Sequence, residues 1–178
     1  MLLTKILPLT ILAAFNTPLA SAKMSHEHNH EHNHEHKASS KKKAVSEVTK
    51  KQLKQIMTIY DDLHQAFFKN DKTKIEAEAK KLNNAIADIK NKEIAKLLSY
   101  SGKQLVNIKA SGDRDKNNQI LHSLSAALIH VLDKFDTGLK HEAYYCPMVK
   151  MKWLQNPKAS DKVLNPYAPE MPNCGGKA

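Results

Sequence analysis

Apolar residues recur at three- and four-residue steps along most of the chain between residues 45 and 138. This period is typical of an amphipathic helix, which buries one stripe of side chains and exposes the others. Four stripes follow one another, each of about 20 residues and therefore roughly 30 Å long. They run from Val45 to Lys69, from Ile75 to Ile89, from Ile94 to Gly112, and from Asp113 to near Gly138.

Short polar breaks separate the stripes. Asn70 and Asp71 predict a turn and a helix cap, and Gly112 is typical of a helix C-terminus. Neither proline nor glycine separates the second and third stripes, so one long bent helix is an alternative there. The pattern as a whole predicts an all-α fold, an antiparallel up-down four-helix bundle over residues 44–140.

The last segment, residues 141–178, has a different composition. It holds both cysteines, the only tryptophan, three of the six methionines and five of the seven prolines. Proline favours extended or turn conformations in the residues around it. We therefore expect an irregular Cys/Met/Pro-rich strap packed on the bundle, with Trp153 and Leu154 as its hydrophobic anchors.

The first 22 residues have the pattern of a secretory signal peptide. Lys5 precedes an apolar stretch from Ile6 to Leu19, and small residues at 20–22 form a cleavage site before Lys23. The mature chain is then expected in the periplasm, an oxidising compartment, without stable membrane insertion.

The charge of the chain bears on its partners. The 178 residues are 41% hydrophobic and 26% charged, a balance typical of one globular domain. The formal net charge is +10, but nearly all of the surplus is lysine, and Arg114 is the only arginine. Arginine can bind a phosphate group with two parallel hydrogen bonds, and the chain has only one arginine. We therefore expect a solvated lysine surface and no nucleic acid partner.

Histidine alternates with Glu or Asn just after the predicted cleavage site, within an arm at residues 23–43 that we expect to be disordered before metal binds. Several imidazoles on a flexible chain can surround one zinc, copper(II), nickel or cobalt ion. A solubilising polar tail is the alternative. The predicted ligands are His26, His28, His30, His32, His34 and His36.

Sulfur donors lie at both ends of the strap. Cys146 and Met148 flank Pro147, and Met171 and Cys174 repeat the arrangement near the C-terminus. Two thiolates and two thioethers prefer copper(I) over hard cations, so these residues are candidate ligands of a copper ion. His141 precedes Cys146 by five residues and is a further candidate because of that proximity.

A disulfide is an equally simple interpretation of two cysteines in an exported chain. A bond between Cys146 and Cys174 would close a 29-residue loop and stabilise the fold by roughly 3 to 4 kcal/mol on chain-entropy grounds. Two free thiols are the third alternative. The residues alone leave the three open.

The tail carries short motifs at Tyr145, Cys146, Pro147, Met148, Trp153, Leu154, Asn165, Pro166, Tyr167, Met171, Cys174 and Gly175. These motifs resemble the DUF3347 family. The resemblance implies a helical domain found with periplasmic adaptors of heavy-metal efflux pumps, and hence the handling of copper or a related cation.

These patterns favour a periplasmic metal-binding protein that buffers or delivers copper or zinc, with a periplasmic efflux adaptor as a candidate partner. The alternative is a structural or interaction module stapled by a disulfide, without metal chemistry of its own. We do not expect an enzyme, because no histidine, carboxylate and oxyanion-stabilising group occur in register with Cys146.

Overall fold

The structure is a computed structural model that describes residues 41–178. The predicted signal peptide and the six histidines of the arm lie outside the described residues. Within residues 41–178, none of the helices has the length and apolar character needed to cross a bilayer. In chain order the elements are β1 (Lys43–Ala44), α1 (Glu47–Phe68), α2 (Lys72–Ala87), α3 (Lys92–Gln104), α4 (Arg114–Lys134), β2 (Phe135–Asp136), β3 (Glu142–Cys146), β4 (Met151–Gln155) and β5 (Gly176–Lys177).

Each of the four helices begins at a polar cap residue. The side chains of Ser46, Asp71, Asn91 and Asp113 accept backbone N–H groups of the first turns, at distances of 2.9 to 3.2 Å. A cap of this kind stabilises a helix by about 1 kcal/mol, because the first N–H groups have no partner within the helix. The four predicted helices are therefore present, and the cap at Asn91 shows that the single bent helix is wrong.

Two helices are shorter than predicted. α3 ends at Gln104 and continues as a 3-10 turn over Leu105–Asn107, well before Gly112. Side chains satisfy the irregular backbone that follows, since the Lys109 carbonyl accepts a bond from the Asn117 amide and the Ala110 N–H donates to Glu76. α4 ends at Lys134, where the chain becomes extended, instead of reaching Gly138.

The predicted all-α class is wrong, because the chain also forms two small sheets. β1 and β2 pair in parallel, and β3 lies between β4 and β5 in an antiparallel sheet. Residues 142–146, 151–155 and 176–177 of the predicted irregular strap therefore form a three-stranded sheet, whereas residues 156–175 are irregular, and the fold is mixed α/β. The pairing is stabilised by aromatic side chains, since Tyr144 lies opposite Trp153 and their rings stack at 5.7 Å.

A tight turn at residues 147–150 joins β3 to β4. The Lys150 N–H donates to the Cys146 carbonyl at 2.8 Å, and Lys150 itself has a left-handed backbone with φ of 56°. Pro147 fixes the start of this turn, because its ring sets φ near the value that turns need. The turn leaves the Met148 side chain 68% exposed.

The sheet is attached to the helices through buried polar and apolar contacts. β4 packs on α4, and Trp153 and Leu154 are buried, as expected of anchors. The Tyr60 hydroxyl of α1 lies 2.8 Å from the Ser125 hydroxyl of α4 and accepts the Leu154 N–H at 3.0 Å. One phenol thus connects two helices to the sheet, and the buried hydroxyl has its partners.

Candidate metal centre

The fold brings the two cysteines together. Cys146 is the last residue of β3, and Cys174 comes two residues before β5, which pairs with β3. Their sulfur atoms lie 2.8 Å apart, although 28 positions separate them in the chain, and no covalent bond joins them in this structure. The Cys146 side chain is buried and that of Cys174 is half-buried. The two ends of the tail that carry the cysteines therefore lie side by side. The sequence alone could not show whether they do.

Gly175 makes this convergence sterically feasible. Its φ is +127°, a conformation that residues with a side chain rarely adopt. A Cβ atom at this position would lie 2.7 Å from Cη2 of Trp153 and 2.9 Å from the Tyr145 carbonyl oxygen. Because both neighbours are fixed in the sheet, only glycine lets the chain pass close enough to place Cys174 beside Cys146.

Asn165 fixes the segment that carries Cys174. Its buried amide donates to the Cys174 carbonyl at 3.1 Å and accepts the Tyr167 N–H at 2.9 Å. Its own N–H donates to the Pro172 carbonyl at 2.8 Å. Sequence reasoning gave Asn165 no role beyond the family resemblance; the available signal was the Asn-Pro pair, since asparagine side chains often bond the backbone two residues on.

Two further buried side chains bond the backbone of the segment that precedes Asn165. The His64 ring lies with Nε2 2.9 Å from the Leu164 carbonyl. Gln155 donates to the Lys162 carbonyl at 2.7 Å and accepts the Leu164 N–H at 3.0 Å. Desolvation by burial lowers the pKa of His64 to about 4, so the ring is neutral at pH 7 and donates its Nε2 proton. His64 thus acts as a structural residue that links α1 to the tail.

We expect the stability of the protein to fall in mild acid because of His64. The folded pKa of about 4 lies below the unfolded value of about 6.5, so the unfolded chain takes up the proton first as the pH falls. The contribution of His64 to the free energy of unfolding is fully present above about pH 6.5, and about 2 kcal/mol of it is lost by pH 5. Urea unfolding from pH 7.5 to pH 5 measures the loss.

The control separates His64 from the other titrating groups. His64→Gln keeps a hydrogen-bond donor and should remove about 2 kcal/mol of the pH dependence. His130→Gln, at an exposed position of α4, should leave the pH dependence as in the wild type. Equal pH profiles for His64→Gln and the wild type would contradict the assignment.

The electrostatics of the cysteine pair distinguish its two members. Burial raises the pKa of Cys146, but hydrogen bonds from the Cys174 thiol and from the backbone N–H groups of Val149 and Met148 outweigh it, and the pKa falls below its ordinary value. The pKa of Cys174 is raised, because its S–H donates to Cys146 and is held there. Cys146 is therefore the first of the two thiols to lose its proton, and Cys174 is the second.

The sulfur separation lies between two chemical states. A disulfide needs about 2.05 Å. With metal–sulfur bonds of about 2.3 Å, two thiolates lie roughly 3.8 Å apart on a tetrahedral ion and roughly 4.6 Å apart across a two-coordinate one. At 2.8 Å, the pair would close by less than an ångström to form the bond, or open by about 1 to 2 Å to hold an ion.

The two methionine candidates lie on the segments that carry the cysteines. Met148 occupies the turn after Cys146, and its backbone N–H bonds the Cys146 sulfur. Met171 is half-buried, and its carbonyl accepts the Cys174 N–H at 3.0 Å. The Met148 side chain is exposed and has three rotatable bonds, so packing does not fix the position of its thioether.

Comparison with known proteins finds no matching family model, no similar curated protein and no similar solved structure. The resemblance to the DUF3347 family therefore stays a prediction.

The structure does not bring His141 to the sulfur pair. His141 directly precedes β3 while Cys146 ends it, so about 16 Å of extended chain separates them. The His141 Nε2 lies 3.0 Å from a carboxylate oxygen of Asp61 on α1, and the side chain is 8% exposed. Within residues 41–178, no three or more His, Cys, Asp or Glu side chains are grouped so as to hold an ion. A metal centre here depends on the two thiols and the thioethers.

Proposed function

We propose that the protein binds copper(I) as cargo through Cys146 and Cys174 and serves periplasmic copper or zinc homeostasis. The observation that carries this proposal is the approach of the two sulfurs to 2.8 Å within a tail that is hydrogen-bonded to α1 and α4. Thiolate is the ligand that copper(I) prefers, and the lowered pKa of Cys146 reduces the cost of forming it.

The cysteines and methionines of the tail have different roles in binding copper(I). Cys146 supplies the first thiolate, and Cys174 gives up its proton when an ion arrives between the sulfurs. The ion requires the pair to open by about 1 to 2 Å, and rotation of the partly exposed Cys174 side chain supplies this opening, because Cys146 is buried at the end of β3 and Asn165 holds the Cys174 backbone. Met148 and Met171 supply thioethers, whose softness favours copper(I) over zinc.

The histidine arm lies outside the described residues and enters the proposal through its sequence alone. Its six imidazoles are suited to zinc and copper(II) and lose their ligand form below about pH 6. We infer a division of labour in which the arm captures divalent ions and the tail holds copper(I). The resemblance to the DUF3347 family supports a periplasmic efflux adaptor as the partner that receives them.

A second function has a specific observation in its favour. The 2.8 Å separation is shorter than two sulfurs adopt around one ion, and buried polar side chains tie the tail to α1 and α4. Both features fit a structural or interaction module whose tail is stapled by a disulfide. In that case the protein carries no metal chemistry in its tail.

The decisive experiment is a metal titration of the reduced mature protein. A competing chromophoric chelator measures copper(I) affinity, and isothermal titration measures zinc affinity. We expect Cys146→Ser with Cys174→Ser to weaken copper(I) binding by roughly 100-fold or more and to leave zinc binding nearly unchanged. Deletion of residues 26–36 should have the reverse effect.

Two results would argue against the proposal. Identical metal profiles for the two variants would refute the division of labour. A reduced wild-type protein that binds neither ion would leave the stapled module as the function. Circular dichroism of each variant, compared with the wild type, ensures that a loss of binding does not reflect unfolding.

A further inference from the structure

The two sulfurs of the candidate centre differ in their access to solvent. The Cys146 residue is 0% exposed, whereas Cys174 is half-buried and lies among exposed neighbours, Asn173 and Gly176. A solute can therefore reach the Cys174 residue from solvent but not the Cys146 residue. This asymmetry defines which thiol reacts first with any reagent in solution.

We propose that Cys174 is the site at which a low-molecular-weight disulfide undergoes thiol–disulfide exchange, and that the resulting Cys146–Cys174 disulfide releases copper(I). The inference rests on the proposed function, because it names the regulation of the same sulfur pair. It adds an oxidising co-reactant, a soluble disulfide of the glutathione class, which is chemically competent in an oxidising compartment.

The exchange balances in two displacements. The pair starts with a thiolate at Cys146 and a thiol at Cys174, and the Cys174 thiol first passes its proton to the hydrogen-bonded Cys146 sulfur. The Cys174 thiolate attacks one sulfur of the soluble disulfide, its S–S bond breaks, and the first soluble thiolate leaves and takes up the proton from Cys146. The Cys146 thiolate then attacks the Cys174 sulfur of the mixed disulfide and expels the second soluble thiolate, which takes a proton from water. The protein loses one proton and two electrons, the soluble disulfide becomes two thiols, and copper stays copper(I).

The geometry favours the second displacement. The Cys146 sulfur is already 2.8 Å from the Cys174 sulfur, and pairing of Tyr145 with Gly176 keeps the two backbones side by side. An attacking thiolate held at this distance has a large advantage over a second soluble thiol, because no encounter is needed. The mixed disulfide at Cys174 is therefore short-lived in the wild type.

Disulfide formation and copper binding exclude each other at this site. The bonded sulfurs lie about 2.05 Å apart, whereas two sulfurs on one ion need roughly 3.8 to 4.6 Å. A disulfide sulfur also carries no negative charge, so it is a far weaker ligand than a thiolate. The thioethers of Met148 and Met171 are then the remaining ligands, and without the thiolates they bind copper(I) weakly. Oxidation of the pair thus acts as a release step.

The first test identifies the reacting sulfur. Reduced protein without metal is exposed to oxidised glutathione, quenched with acid at intervals and analysed by intact mass and peptide mapping. Cys146→Ser should accumulate one glutathione on Cys174, while Cys174→Ser should stay largely unmodified, because Cys146 is buried. The wild type should pass through a transient adduct on Cys174 to an internal disulfide, which keeps the test valid if a variant unfolds. An adduct that forms first on Cys146 would overturn the proposal.

The second test measures release. Wild-type protein is oxidised with glutathione disulfide, freed of small thiols by gel filtration, and titrated with copper(I) against a chromophoric chelator beside the reduced protein. We expect the oxidised form to bind at least roughly 100-fold more weakly, with full recovery after reduction. Equal affinity of both forms would overturn the release step and leave the proposed function standing. If the reduced protein does not bind copper(I), both the function and its regulation fail.

Discussion

Replacing Gly175 by alanine is expected to destabilise the tail by about 2 to 6 kcal/mol and to separate the cysteine pair. The new Cβ would meet the Trp153 ring at 2.7 Å and the Tyr145 carbonyl at 2.9 Å, and the φ of +127° is unfavourable for alanine. Overpacking and backbone strain each cost about 1 to 3 kcal/mol. The chain relieves them by moving away from the sheet, and Cys174 moves with it.

Gly176 provides a matched control one residue away. A Cβ there would have no neighbour within 4 Å, so Gly176→Ala should change the free energy of unfolding by less than about 0.5 kcal/mol. Urea denaturation measures both variants, and the rate of disulfide formation with oxidised glutathione reports the sulfur separation. Equal stability and equal oxidation rates for the two variants would show that the contact with Trp153 does not position Cys174.

The helical part of the fold could be predicted because its signals are local. Apolar residues at helical spacing and polar caps act within a few residues of each other, so the sequence indicates them directly. The irregular segment after α3 could not be predicted, because its Ala110 N–H donates to a carboxylate of α2 that lies 34 positions away in the chain. A local pattern carries no information about such a partner.

The tail was harder to predict for the same reason. The strands are short, and in β4 three successive residues, Trp153, Leu154 and Gln155, are all buried, so the alternation that marks a strand is lost. The sequence shows which side chains can donate sulfur to a metal ion, and on this basis Cys146 and Cys174 are predicted as ligands. Their convergence depends on the pairing of β5 with β3, a contact between residues about 30 positions apart, and the same strand carries His141 away from them.

The second large effect is expected for Asn165→Ala, which should lower the free energy of unfolding by about 4 kcal/mol. The substitution leaves the Cys174 carbonyl and the Tyr167 N–H without their partners at 3.1 and 2.9 Å. Each such loss in a buried site costs about 1 to 3 kcal/mol. Because the Cys174 carbonyl then has no fixed position, disulfide formation should slow and copper(I) affinity should fall together with stability.

Asn173 is the matched control, since it is an asparagine of the same segment with an exposed side chain. Its amide donates to the Val163 carbonyl at 2.6 Å, but water can replace that bond at an exposed site, so Asn173→Ala should cost less than about 1 kcal/mol. Urea denaturation and copper(I) competition distinguish the two variants. If Asn173→Ala were the more damaging one, the position of Cys174 would depend on the exposed turn at residues 171–174, and the buried amide of Asn165 would not be its main determinant.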